Sequence, residues 1–335
     1  MSHLSNSLPD DPALRARIGH GLDAPVSEET RHLAGYLAGA FGPATRAVIH
    51  YGSHAQGSRP GPGSAHDFFV IVDQYAEAYR SLHLSANTHV SPATATGLAR
   101  VLPPNVLRVV APLPDRLMQA KCGVLSLRDL ERLCSPRAWD HFTQGRLFQQ
   151  VQIAWTRDPE SHNSVRDILI GARLNTWWWG RPYMPPTFGA EEYFRRLLET
   201  SFAAEIRPEG PERVEQLVAA QRAVIVPAYE AVLEHFVASR ILVRDGKSYR
   251  AVTEPTAGER WAIRAYFARS KARATARWSK HIALYDDWLE YIVEKIARRT
   301  GQEIELTERE KRWPLIFLWP RAIDFVRNRP QRRSS

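Results

Sequence analysis

Residues Val48 to Asp73 read VIHYGSHAQGSRPGPGSAHDFFVIVD, and this stretch decides the fold. Ala47–Tyr51 is a short apolar run, the signature of a buried strand. The segment from Gly52 to Ala65 carries Gly52, Gly57, Gly61 and Gly63 with Pro60 and Pro62, so it is a loop. Phe68–Val72 is a second buried strand, opened by a single carboxylate, Asp67. Chemistry can be read from this pattern. A Gly-Ser turn at the end of a strand lets phosphates approach the backbone, because Gly52 has no Cβ to block them and Ser53 adds a hydroxyl. A helix starting there would add its dipole. A carboxylate on the neighbouring strand is a hard oxygen ligand suited to Mg²⁺, which neutralises phosphate charge and orients a leaving pyrophosphate. Each element also has a plainer reading, an ordinary turn at Gly52-Ser53 and a strand-edge cap at Asp67.

Strand, Gly-Ser turn, loop and acid-led strand in this order are the pattern of a nucleotidyltransferase fold. Many such enzymes carry D-x-D, with two acids on one face of the strand, but position 69 is Phe. Asp73 has the right parity to share a face with Asp67. Six residues at ~3.3 Å each, however, place it about 20 Å away, too far to share a metal. Asp73 is therefore expected either to shape the strand end or to bind base or ribose.

Around this centre the 335 residues divide by pattern. Residues 1–25 are polar and proline-rich and are expected to form a mobile arm. Ser27 caps a helix with Glu28 and Glu29 in its first turn, and Gly42-Pro43 ends it. Val106–Val110 and Gln150–Trp155 read as further strands, helix is expected between Tyr79 and Leu102, and Ser126 with Asp129 opens another helix. From about residue 160 the pattern turns helical, over Val165–Trp178, Glu191–Thr200, Val214–Ala238, Glu259–His281 and Asp287–Arg299. Trp177–Trp179 reads as core. The expected class is α+β: a nucleotidyltransferase-like sheet-and-helix domain over 26–158, a mainly helical domain over 159–310 and a basic aromatic tail over 311–335.

Net charge is +9, which favours an anionic partner: nucleic acid, an acidic membrane or a phosphorylated substrate. No RNP-type signature is present, so no nucleic acid is expected. The two cysteines, Cys122 and Cys134, form no CxxC and fit a reducing compartment rather than a zinc site or a disulfide framework. The opening MSHLSNSLPDDPALRAR lacks a signal-peptide core, and no run approaches the ~18–20 apolar residues of a membrane span.

Five segments in order resemble the peripheral phosphatidate cytidylyltransferases, the mitochondrial translocator assembly and maintenance proteins and their bacterial relatives. Tyr51-Gly-Ser53 and Asp67–Asp73 resemble the family's YGSG and DF-h-h-x-VDD, and that family also lacks the second acid of D-x-D. Lys121–Ser126 (KCGVLS) resembles KYGVIS, Trp139 with Gly145-Arg146-Leu147 resembles W…AGRL, and Ser201–Arg207 (SFAAEIR) resembles SYxGDxR. His54 in place of the Gly after YGS, Ala204 in place of Gly and Glu205 in place of Asp are departures. The resemblance covers roughly residues 45–235. It implies a Mg²⁺-dependent reaction of CTP with phosphatidic acid, giving CDP-diacylglycerol and pyrophosphate. It further implies that Tyr51, Gly52 and Ser53 hold CTP and that Asp67 holds the metal. Lys121 and Arg146 would face phosphate, and Glu205 and Arg207 would line the site from the helical side. The plainer readings are surface charge for Lys121 and Arg146 and a mutual ion pair for Glu205 with Arg207.

A phosphate monoester has its second pKa near ~6, so it is already a nucleophile at neutral pH, and the lack of a recognisable general base suits such an acceptor. The tail KRWPLIFLWPR, Lys311 to Arg321, joins cations to Trp313, Phe317 and Trp319, and arginines follow at 327, 329, 332 and 333. Trp and basic residues favour an anionic membrane surface, so a cytoplasmic enzyme peripheral at the inner membrane is expected, with packing of Leu315–Trp319 into the helical domain as the alternative. Two other functions stay open: a nucleotidyltransferase acting on RNA, a protein or a small molecule, and a non-catalytic nucleotide-binding membrane scaffold.

Overall fold

A computed structural model of the chain describes residues 8–57, 64–86, 91–112, 116–205, 210–284 and 307. The expected Asp287–Arg299 helix, the 311–335 tail and Arg207 lie outside these residues. Met1–Lys280 forms one compact unit and His281–Ser335 a second.

The class is α+β, built on a five-stranded mixed sheet with helices on both faces. Helix α1 (Pro12–Ile18) precedes α2 (Glu28–Phe41). In α2 the Ser27 hydroxyl caps the Thr30 N–H, two glutamates sit in the first turn, and the chain leaves through Gly42 at φ +71°. The sheet strands are β1 (Thr45–Tyr51), β2 (His66–Val72), β3 (Asn105–Pro112), β4 (Leu117–Ser126) and β5 (Gln152–Thr156), in the spatial order β3-β4-β2-β1-β5. β2 and β4 run parallel, and every other pair is antiparallel. A parallel pair needs a long crossover, and α3 (Tyr75–Ala86), α4 (Pro92–Val101) and β3 supply it.

Alternation along β2 sorts its residues between two layers. Phe69 and Ile71 join the main core with Ile49, Leu125 and Leu130. His66, Phe68, Val70 and Val72 turn to the opposite face, where α2 packs on the sheet. The main core continues through α5 (Leu127–Leu133), α6 (Gln144–Leu147), α7 (Pro159–Leu174) and α8 (Thr176–Gly180). It extends on into α9 (Ala190–Ala203), α10 (Pro211–Ala238) and α11 (Ala257–Leu284), where Ile263, Tyr266 and Phe267 are its last members. Trp177 and Trp179 lie at its centre. A two-stranded hairpin, β6 (Leu242–Asp245) with β7 (Ser248–Ala251), separates α10 from α11. The sheet part and the helices up to Lys280 thus share one hydrophobic core, and no seam divides them at residue 158.

The expected mobile arm is corrected from Leu8 onward. Asp11 caps α1, Ile18 and Leu22 are fully buried, and the Arg173 guanidinium donates to the Ile18 and His20 carbonyls. The Leu22 carbonyl also accepts from Ile153 N–H on β5. Leu14, Ile18 and Leu22 recur every four residues, and this apolar stripe outweighs the surrounding proline and charge. Among the described residues no helix is long and apolar enough to cross a membrane.

Candidate active site

The geometry begins at the end of β1. Gly52 adopts φ +79°, the left-handed region where a side chain is strained, and a Cβ there would lie 2.7 Å from Asp67 Oδ2. Glycine is therefore required twice, for the turn and for the approach of the carboxylate. The turn closes by Ala55 and Gln56 N–H bonds, each 3.0 Å, to the Gly52 carbonyl, and Ser53 follows within it. Residues 53–57 form turns and no helix, so the helix dipole considered from sequence is not part of this site. Four glutamines tie the turn to the segment after α6 and to α10. Gln150 donates to the Ala55 carbonyl, Gln56 donates to Gln149, and Gln221 on α10 accepts from the Gln150 N–H.

Strand register brings the other predicted residues alongside. Tyr51 pairs with Asp67 across β1 and β2, Asp67 with Lys121 across β2 and β4, and Lys121 with Arg108 across β4 and β3. Paired residues share a sheet face, so Tyr51, Asp67, Lys121 and Arg108 form one row. Phe69 takes the place of a second acid. It stacks on Tyr51 at 4.5 Å and lies beneath Gly123, where a Cβ would meet its ring at 2.7 Å. The glycine of KCGVLS is thereby explained by the phenylalanine of DFFVIVD.

Burial raises the Asp67 pKa above the ordinary carboxylate range, and the nearby Lys121, Arg146 and His54 oppose that shift. Burial also raises the Tyr51 phenol, with the Asp67 charge adding to the effect. Asp67 is thus a largely desolvated carboxylate with cationic groups near it. Among the described residues no group of three His, Cys, Asp or Glu side chains could cage a metal ion. Mg²⁺ in nucleotide sites uses one or two carboxylates plus substrate phosphates and water, so the lone Asp67 fits that mode and not an all-protein cage.

Arg146 links this row to the helices. Its Nη1 donates to the Phe142 carbonyl at 2.7 Å, its guanidinium lies 3.9 Å over the Phe142 ring, and Glu205 sits 3.6 Å from Nη1. Glu205 thus pairs with Arg146. His141, fully desolvated and lowered to about 3, stays neutral and ties Ser201 on α9 to Tyr266 on α11. A Cβ on Gly145 would strike Ser201 Oγ at 2.9 Å, which explains the glycine of the Gly145-Arg146-Leu147 motif.

Asp73 does not join the site. It lies just beyond the far end of β2, where it accepts from Arg46 and, at 2.8 Å, from Arg157 Nη1. The base- or ribose-binding role is corrected to an ion-pair anchor at the strand end, in line with the shaping alternative. Sequence reading missed Arg108, Asp140, His141 and the cations of α11. The last had a signal: Arg269, Arg273, Arg277 and Lys280 recur at a spacing that places them on one helix face. Compared with known proteins, the chain matches no family model and no curated protein.

Proposed function

We propose that the protein is a nucleotidyltransferase that joins CTP to phosphatidic acid, releasing pyrophosphate and forming CDP-diacylglycerol. The observation that carries the transferase reading is the approach of the Asp67 carboxylate to Gly52, with Lys121 on the adjoining strand. The choice of CTP and phosphatidic acid rests on the five motifs that resemble the peripheral phosphatidate cytidylyltransferases.

In this mechanism the Gly52-Ser53 turn admits the triphosphate, and Lys121 and Arg146 supply positive charge to it. An oxygen of the acceptor phosphate attacks the α-phosphorus of CTP in line. The bond from that phosphorus to the bridging oxygen breaks, and pyrophosphate leaves. Because the acceptor is largely dianionic at neutral pH, the chain needs no proton-abstracting residue. Positioning and charge neutralisation provide the acceleration. Held by Asp67, Mg²⁺ would supply further neutralisation of the triphosphate. The work falls where the lipid lies, at the inner membrane surface, and the basic aromatic residues of 311–335 are proposed to dock there. Deleting residues 312–335 should abolish flotation with anionic liposomes, and unchanged flotation sinks the docking role.

A second reading has its own support. The single acid at Asp67 suits a protein that binds nucleotide without turning it over. Labelled CTP, Mg²⁺ and phosphatidic acid in detergent decide between them. CDP-diacylglycerol is the expected product, CTP binding without product favours the sensor, and product only with another acceptor keeps the transferase and rejects the lipid.

A further inference from the structure

Beyond Arg146 lies a second set of cations that the proposed transfer has not used. Asp140 is fully buried and accepts from Arg273 Nε at 2.8 Å and Arg277 Nη2 at 2.6 Å, while its other oxygen accepts from Phe142 N–H. Arg277 is only 6% exposed and also donates to the Pro103 carbonyl. Its Nη1 and the Nη2 of Arg273 are buried and have no hydrogen-bond partner among the described residues. Lys280, equally buried, donates to the Leu102 and Pro104 carbonyls, and burial lowers it to about 7, helped by Arg277 and Arg273. The Arg277 guanidinium stands 4.7 Å from the Phe142 ring that Arg146 also covers.

Three guanidiniums, Arg146, Arg273 and Arg277, with the Lys280 amine beside them, thus gather around two carboxylates, Asp140 and Glu205. Buried charge is unfavourable unless it is paired, and a guanidinium that has lost water on one edge needs an acceptor there. The two open N–H edges and the surplus of positive charge ask for a compact anion with several oxygens. A phosphate monoester dianion supplies both, and guanidinium forks suit it. A transfer between two anions also requires two sets of cations, one for the triphosphate and one for the acceptor. The row at Gly52, Asp67 and Lys121 provides the first.

We infer that Arg273 and Arg277 of α11, with Arg146 between the two sets, form the subsite for the phosphate monoester of the acceptor. This assignment rests on the nucleotidyl-transfer reading for the word acceptor, and its test needs no turnover. Full-length protein without nucleotide is titrated calorimetrically with dihexanoyl phosphatidate below its micelle concentration, with inorganic phosphate and with dihexanoylglycerol. CTP is titrated separately.

Wild-type protein is expected to bind the phosphatidate more tightly than inorganic phosphate and to ignore the diacylglycerol. Arg273→Gln should weaken phosphatidate about tenfold or more while leaving CTP within about twofold. If Arg273→Gln lowers the melting temperature by more than about 10 °C, Arg273→Lys replaces it; keeping the charge without the fork, it should still weaken phosphatidate several-fold.

No phosphatidate binding by the wild type, or equal binding by the folded variant, overturns the subsite. Inorganic phosphate bound as tightly as the lipid overturns the acceptor assignment in favour of a free-phosphate site. A parallel loss of CTP affinity moves the cations to the triphosphate. Arg273-dependent phosphatidate binding without product from CTP would reject the transferase and keep the subsite, so the two failures are distinguishable.

Discussion

Asp67 and Asp73 bracket one strand and have opposite fates. Asp73 meets two guanidiniums, Arg46 and Arg157, which hold its pKa below the ordinary carboxylate range despite some burial. Asp67 meets a glycine, a phenol and three opposing groups, Lys121, Arg146 and His54, that do not fully offset its burial, so its pKa rises. The first is a satisfied charge that fastens the strand end to β1 and to the residue after β5. The second is a carboxylate kept largely desolvated, with its nearby cationic groups not fully compensating its burial. A carboxylate whose pKa is raised by burial is a candidate for function, whereas one lowered by paired guanidiniums is the mark of a structural charge.

The largest effect should come from removing the charge at one end and then at the other. Asp67→Asn should lower nucleotidyl transfer by about 10²–10³-fold or more, measured as CDP-diacylglycerol formed. It should also leave the ligand-free protein as stable as the wild type or more so at pH 7. The sign follows from linkage: a carboxylate whose folded pKa is raised loses stability as pH climbs from its unfolded value through its folded value. The amide removes that penalty, so its advantage should vanish below about pH 4, where both states of Asp67 are protonated. Asp73→Asn should change the rate by less than about twofold and weaken the fold by about 1 kcal/mol. Equal loss of activity in the two variants would dissolve the contrast.

Gly52→Ala tests the same end without touching a charge. The alanine must adopt φ +79° and place its Cβ 2.7 Å from Asp67 Oδ2, so the carboxylate is displaced. A loss of about 1–3 kcal/mol in stability is expected from the strain, and about 10²-fold in rate from a misplacement near ~1 Å. Calorimetric melting and initial rates separate the two. A variant with wild-type rate would show that the close approach has no catalytic meaning.

Much of this end was legible because it is local. Tyr51, Gly52 and Ser53 are consecutive, and an acid opening the next apolar run is a short-range pattern. The register that sets Lys121 beside Asp67 was not legible, because parallel strands are joined by a long crossover and the pairing is non-local. β4 itself escaped notice as a strand, since Lys121 and Gly123 interrupt its apolar run. The described partners of Asp73 and Glu205 come from distant parts of the chain, which is why a ligand role for Asp73 looked open and the approach of Arg146 to Glu205 could not be read from sequence. The segment holding α1 was misread because its Pro12, Arg15 and Arg17 mask the apolar stripe of Leu14, Ile18 and, beyond the helix, Leu22, although that spacing was visible.

The opposite face of the Asp67 end offers a pH test. His50 and His66 are buried side by side, with Nε2 of the first 3.3 Å from Nδ1 of the second, and each is lowered to about 4 from 6.5, chiefly by burial. A histidine lowered on folding contributes stability that is complete above its unfolded pKa and is lost as pH falls through the folded one. Urea melts should therefore show stability falling between about pH 6.5 and pH 4, by roughly 3 kcal/mol for each histidine at most. The double variant His50→Gln, His66→Gln should flatten that slope. Asp73, with a lowered pKa, stays ionised over the same window, and buried His141, also lowered, adds an acid sensitivity of its own that the double variant should leave in place.

The smallest effect is at the satisfied end, and it is the most exact check on the contrast. Arg157 donates to Asp73 and to Asp158, which also caps α7, so Arg157→Met loosens the strand end and the helix start together. The Asp73 side chain is 32% exposed and that of Arg157 34%, so solvent screens the pair and a coupling of about 0.5–1 kcal/mol is expected. A double-mutant cycle of Arg157→Met with Asp73→Asn isolates that coupling, because each single change removes the same contact. Arg46 keeps Asp73 paired in the Arg157 variant, which should hold the measured value near the lower bound. Transfer activity should stay unchanged throughout the cycle. A coupling near zero with a lost rate would mean that Asp73 serves the substrate after all, and that the two ends of β2 belong to one site.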